Sequence, residues 1–162
     1  MKLSDPFKIL TPNERWAPTQ GQMDAFQNAY EKLLPPLVYK IRLAVAKWRE
    51  EGYQGASDTS KSLMNFWFTQ EHVIGQSKFS FFFSQREAIE SIIYLYEIAS
   101  AKDKFELMRF DSSERVSSGM FDETWARYVV KMATGAGKTK VMGLTLVWSY
   151  FHKRYETAST LS

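Results

Sequence analysis

A chain of 162 residues is long enough for one domain with a real core, or for one domain and part of a second. Hydrophobic residues at 44% and charged residues at 24% exclude wholesale disorder, while a formal charge of +3 is compatible with a polyanionic partner without arguing for one. The absence of cysteine excludes disulfides, thiolate metal sites and cysteine nucleophiles.

Aromatic residues make up 15% of the chain, with five Trp and twelve Phe, which implies substantial buried or interface surface. His72 and His152 lack ligand-like spacing, so two solvated or hydrogen-bonded imidazoles are expected instead of a metal site. The first residues carry no apolar run of the signal-peptide kind, and the longest nearly apolar stretch, Val141 to Phe151, is too short to span a bilayer. A cytoplasmic location without membrane association is the expectation.

Residues 1–21 mix Pro, polar residues and isolated apolar ones, and read as an irregular arm. Met23, Phe26, Tyr30, Leu33 and Leu34 have helical spacing over Gln22 to Leu34. Pro35-Pro36 breaks that helix, and Pro36 can open the next, which runs to about Glu51 and ends at Gly52. Leu37, Ile41, Ala44, Val45 and Trp48 form its apolar side; Lys40, Arg42, Lys47 and Arg49 are expected on a solvated face. Asp58 or Thr59 can cap a third helix, rich in Leu63, Met64, Phe66, Trp67 and Phe68, with Gly75 closing it. Ser84 and Glu87 have capping-box spacing and predict a helix that buries Ile89, Ile92, Ile93 and Tyr96 and runs to about Ala101. Residues 102–124 lack sustained periodicity and read as a surface excursion. Arg127 to Met132 is a short β-branched strand, and Lys138 to about Lys153 is the last helix.

Between that strand and helix stands Ala133-Thr134-Gly135-Ala136-Gly137-Lys138-Thr139. A nucleoside triphosphate needs a concave nest of backbone N–H groups, a mobile cation and a hydroxyl ligand for Mg²⁺. Gly135 and Gly137 give the loop freedom to curl round phosphate oxygens, Lys138 can reach the β- and γ-phosphates, and Thr139 offers its hydroxyl to the metal. The next helix points its positive end at the same place. A bare Gly-Lys-Thr triplet would be weak, but its place between strand and helix is what the mechanism demands.

The generic phosphate loop has another glycine where this chain has Met132. That departure is informative, because Met-Ala-Thr-Gly-Ala-Gly-Lys-Thr resembles motif I of superfamily 2 helicases and translocases. Those enzymes carry an upstream glutamine that reads adenine, and Gln85 in Phe83-Ser84-Gln85-Arg86-Glu87-Ala88-Ile89-Glu90 resembles it. A carboxamide offers an acceptor and donors that suit the N6 amino group and N7 of adenine. Over roughly residues 79–152 the chain resembles the DEAD/DEAH-box family that includes the Res subunit of type III restriction enzymes.

The resemblance implies an α/β fold, with a mostly helical N-terminal extension over 1–78 and the start of a RecA-like P-loop domain, incomplete here, over 79–162. It implies ATP and Mg²⁺ as cofactors, with Gln85, Thr134, Gly135, Ala136, Gly137, Lys138 and Thr139 holding nucleotide, Lys138 and Thr139 serving catalysis, and Thr139 the metal. It also implies a motor on double-stranded DNA, often joined to a nuclease domain and partnered by a methyltransferase (modification) subunit.

Hydrolysis in superfamily 2 needs an Asp-Glu pair after a later apolar strand. The pair Asp122-Glu123 precedes the loop, follows Ser-Ser-Gly-Met-Phe and reads as surface. The last helix carries Val141, Met142, Leu144, Leu146, Val147, Trp148 and Phe151 round most of its circumference, as in the interior of a larger protein. The expectation is an N-terminal piece of a motor, which by itself binds ATP weakly and hydrolyses none. Two other readings stay open: a different P-loop phosphotransferase such as a small kinase, and a non-catalytic module before residue 79 that docks DNA or a partner subunit.

Overall fold

The structure is a computed structural model and describes residues 37–111 and 129–156. The arm over 1–21, the helix over Gln22 to Leu34 and the Asp122-Glu123 pair lie outside the described residues. Helix α1 spans Val38–Glu50 and buries Val45 and Trp48, the apolar side expected of it. It ends in a Schellman motif: the Gly52 amide donates to the Arg49 carbonyl and the Tyr53 amide to the Trp48 carbonyl. Gly52 takes φ +71 there, as a C-terminal glycine should, and Tyr53 follows it into the left-handed region at φ 60.

Helix α2 spans Asp58–Thr69, and its cap is Ser57, whose hydroxyl accepts from the Ser60 amide at 3.1 Å. The expected caps, Asp58 and Thr59, fall inside the first turn instead. Gly75 does not close this helix. Thr69 ends it, and Gly75 opens the turn of a hairpin made of β1, His72–Ile74, and β2, Ser77–Phe79. The strands pair antiparallel with His72 opposite Phe79, leaving Gly75-Gln76 as a two-residue loop with φ +65 at the glycine. A glycine in that first position is the signature of a tight hairpin turn, and three-residue strands leave too little alternation to show in the sequence.

Helix α3 spans Phe83–Ile93 and continues as a π-helical turn over Tyr94–Ile98. Ile89 and Ile93 are fully buried, as expected; Ile92 and Tyr96 are only half-buried. Part of the expected surface excursion is ordered: Asp103 caps a short helix α4, Lys104–Met108, and Phe110 is buried with Ala101 and Leu95. Helix α5 spans Lys138–Tyr155.

The expected strand at Arg127 to Met132 is not paired in its described part, residues 129–132, and Val129 is 90% exposed. A strand is defined by its ladder, and among the described residues none lies beside this segment. Among the described residues the chain is therefore mostly helical with one two-stranded sheet, compatible with the α/β class.

One core joins the elements around the loop. Trp48, Ala56, Met64 and Trp67 from the first half pack with Ile89, Ile93, Leu144 and Trp148. Burying each indole contributes roughly 4–6 kcal/mol from its area. Helix α5 buries only the stripe Val141, Leu144, Trp148 and His152; Met142 and Leu146 are each 70% exposed, so its wide apolar circumference is covered on one side among the described residues.

Candidate nucleotide site

Helix α3 starts where the chain leaves the aromatic run Phe79 to Phe83. The rings of Phe79 and Phe81 meet edge-on, and Phe81 also meets Phe68 of α2 and His72 of β1. That cluster fixes the hairpin between α2 and α3. His72 is hydrogen-bonded, its Nε2 donating to the Phe66 carbonyl at 2.8 Å.

The N-terminus of α3 is closed by Gln85. Its Oε1 accepts from the Phe82 amide at 3.0 Å, the reciprocal half of a capping box. Phe82 occupies the cap position, and a phenyl ring cannot accept the other bond, so the box is half made. The expected pair Ser84 and Glu87 does not form it: the helix begins one residue before Ser84, and Glu87 pairs with Arg42 at 2.9 Å.

The other end of the Gln85 carboxamide reaches across 51 positions. Its Nε2 donates to the Ala136 carbonyl at 3.0 Å, inside the glycine loop. Gln85 is 4% exposed, so the amide is held in place at both ends. Each end keeps one further bonding position, an N–H on Nε2 and a lone pair on Oε1. Those two together complement N7 and the N6 amino group of adenine.

The loop has the backbone that the glycines were expected to supply. Gly135 takes φ +81 and Gly137 φ +80, and Gly137 is the N-cap of α5. A β-carbon on Gly137 would lie 2.1 Å from Gln85 Nε2, so the close approach of glutamine and loop requires glycine. Thr134, Gly135, Lys138 and Thr139 are exposed; Ala136 and Gly137 are half-buried under Gln85. Lys138 turns back, its Nζ donating to the Ala133 carbonyl at 3.3 Å. Lys140, in the first turn of α5, holds its Nζ 4.9 Å from the Phe79 ring centroid. Exposed cation, exposed hydroxyl, left-handed glycines and the positive end of an 18-residue helix suit a magnesium-bound polyphosphate. The sequence-derived residues Gln85 and 134–139 thus stand together.

Behind the glutamine lies a buried charge cluster that periodicity did not reveal. Glu90, fully buried, accepts from Arg49 Nε at 2.8 and 3.1 Å, from Arg86 Nε at 2.7 Å and from the Tyr53 hydroxyl. Arg86 also donates to the Tyr53 oxygen at 2.8 Å. Burial and the neighbouring Glu90 charge push the Tyr53 phenol up to about 12. Burial works against the Arg86 charge, but its bonds and attraction to Glu90 outweigh that and raise its pKa. Two arginines of α1, expected on a solvated face, therefore face inward: Arg42 to Glu87 and Arg49 to Glu90. The available signal was the pair of acidic residues, Glu87 and Glu90, placed beside Ile89 and Ile93 with basic residues two helices upstream.

A second polar set ties down the far end of α5. Glu97 accepts from the Ser57 amide at 2.8 Å, from the Ser60 hydroxyl and from His152 Nε2 at 3.0 Å, and Trp148 Nε1 donates to Ser60 Oγ at 2.8 Å. Hydrogen bonding to the Thr59 side chain, and less so to the Thr59 amide at 3.2 Å, holds the Glu156 carboxyl below its usual range. Both histidines are thus hydrogen-bonded. Among the described residues no group of three or more acidic, histidine or cysteine side chains could hold a metal, and no helix is long and apolar enough to cross a membrane.

Gln85 thus lies against a glycine loop at the head of a long helix, within the segment that resembles DEAD/DEAH-box domains of superfamily 2. The model of the family described as type III restriction enzyme, res subunit, matches residues 78–161, just over half of the chain and all of the candidate site. The chain belongs to this family. No curated protein and no solved structure matched it.

Proposed function

We propose that residues 134–139 wrap the phosphates of ATP while Gln85 reads its adenine, at the front of an ATP-dependent DNA translocase or helicase of the restriction-motor kind. The observation that supports this reading is the 3.0 Å bond from Gln85 to the Ala136 carbonyl, which puts the carboxamide beside the glycine loop. Lys138 is exposed and held through a 3.3 Å bond to the Ala133 carbonyl, and it exchanges that oxygen for phosphate oxygens at little cost. Thr139 supplies a hydroxyl in the first turn of α5 for Mg²⁺, and the bound metal would offset phosphate charge. Double-stranded DNA as track and a methyltransferase subunit as partner follow from the family alone.

Binding is separable from turnover. Superfamily 2 hydrolysis draws on an acidic pair downstream of the loop, and Glu156 is the only acidic residue of this sequence after Lys138. The 162-residue chain is expected to bind Mg·ATP weakly and to show no steady magnesium-dependent turnover. The test is a titration of the chain and its Lys138→Ala variant with inorganic tripolyphosphate and Mg·ATP, with phosphate release followed in parallel. Loss of both affinities in the variant supports the phosphate role; equal affinities in the two proteins remove it.

A further inference from the structure

We propose that Arg49, on a helix upstream of the family match, is a positioning residue for nucleobase recognition by Gln85; this rests on the adenine reading above. The guanidinium of Arg49 grips α3 at two places two turns apart. It lies over the Phe83 ring, 5.3 Å from the centroid, and it forks onto Glu90, Nε donating to Oε1 and Nη2 to Oε2. Gln85 stands about 200° round the helix from Phe83, so the grip falls on the back of α3 and the amide on its front. There the amide meets the loop at Ala136.

An apolar contact would let α3 slide or rotate with little change in energy. A planar fork on a carboxylate fixes both motions, because its two bonds hold only in one orientation. Glu90 has nowhere to turn, being fully buried with Arg86 and Tyr53 on its other sides. The Schellman end of α1 reinforces the geometry by sending Tyr53 back over the cluster. None of these contacts touches the phosphate loop, whose left-handed turns lie at Gly135 and Gly137 and which α3 meets through Gln85 at the Ala136 carbonyl. Arg49 is thereby placed to affect which base is accepted and not how phosphates are held.

The test uses the full 162-residue chain, isotope-labelled, titrated by nuclear magnetic resonance with Mg·ATP, Mg·GTP and inorganic tripolyphosphate. Guanine presents an acceptor, O6, where adenine presents its amino group, so the fixed Oε1 of Gln85 discriminates against it. The unaltered chain is expected to prefer ATP over GTP by about tenfold, the value of one good hydrogen bond. In Arg49→Met that preference is expected to fall to about twofold or less while tripolyphosphate affinity is unchanged, an effect general loss of structure would not give. Arg49→Met leaves Glu90 its ion pair with Arg86 at 2.7 Å, and the double variant Arg49→Met/Glu90→Gln, which keeps a side-chain acceptor for Arg86 and Tyr53, is measured beside it. A folded single or double variant that keeps the full ATP preference overturns the positioning role. Equal affinity of the unaltered chain for ATP and GTP overturns the adenine reading beneath it, and the proposal with it.

Discussion

Gln85 and Gly137 approach so closely that a β-carbon on Gly137 would fall 2.1 Å from Gln85 Nε2 and force the carboxamide aside. The contact joins the head of α3 to the head of α5, and the glycine meets two requirements there. It allows φ +80 at the N-cap, and it clears the glutamine. Gly137→Ala is expected to break the Gln85–Ala136 bond, to destabilise the fold by about 1–2 kcal/mol through backbone strain alone, and to weaken Mg·ATP binding by at least about tenfold. Gly135→Ala shares the positive φ, but open space surrounds its added carbon, so it keeps the Gln85 contact. Comparing the two variants by thermal melting and ATP titration separates strain from collision.

Glu90 holds two arginines and a tyrosine in the interior. Glu90→Ala leaves both guanidinium groups short of a counter-charge where water is scarce. A loss of about 3–5 kcal/mol is expected, measured as a shift of the urea midpoint. A loss within the scatter of surface substitutions would show that the cluster is not structural.

The Tyr53 phenol, raised from 10.0 to about 12, gives a pH dependence with a defined sign. The unfolded chain releases this proton near 10, the folded chain near 12. Below pH 10 the contribution to stability is complete, and it is lost as pH climbs to about 12, because the unfolded state then binds fewer protons. Tyr53→Phe is expected to remove that alkaline decline. Identical decline in the variant, read from denaturation midpoints across the window, would assign it to other groups.

Ser60 is buried and accepts from Trp148 Nε1 while donating to Glu97. Ser60→Ala leaves an indole donor without its acceptor, at a cost of about 1–3 kcal/mol. The same substitution leaves the loop over residues 134–139 untouched, so tripolyphosphate affinity should not change. Parallel melting and binding measurements check both halves.

Helix positions and the loop were legible in the sequence because each has a local cause. Leu37, Ile41, Val45 and Trp48 recur at helical spacing, Gly52 supplies the left-handed stop, and Gly135 and Gly137 supply the positive φ at which the loop curls. What escaped has a non-local cause. The inward turn of Arg42 and Arg49 depends on acidic partners 45 and 41 residues away, which no periodicity encodes. The hairpin at His72 to Phe79 is held by rings from α2 and by Phe81 more than by its own three-residue strands. The apolar residues over 129–132 read as a strand, but a strand forms only with a neighbour to bond. Gln85 stands out in the sequence as a candidate base reader, whereas its capping of its own helix in place of Ser84 and Glu87 has no local signal.

The most direct measurement follows the Gln85 side-chain amide and the backbone amides of residues 134–139 by nuclear magnetic resonance as Mg·ATP is added. If one ligand spans both, all these signals shift together along one binding curve, and inorganic tripolyphosphate moves the loop signals while leaving the glutamine amide nearly still. Loop signals that ignore Mg·ATP, or a glutamine amide that stays fixed while the loop saturates with ATP, would separate base from phosphate and dissolve the site.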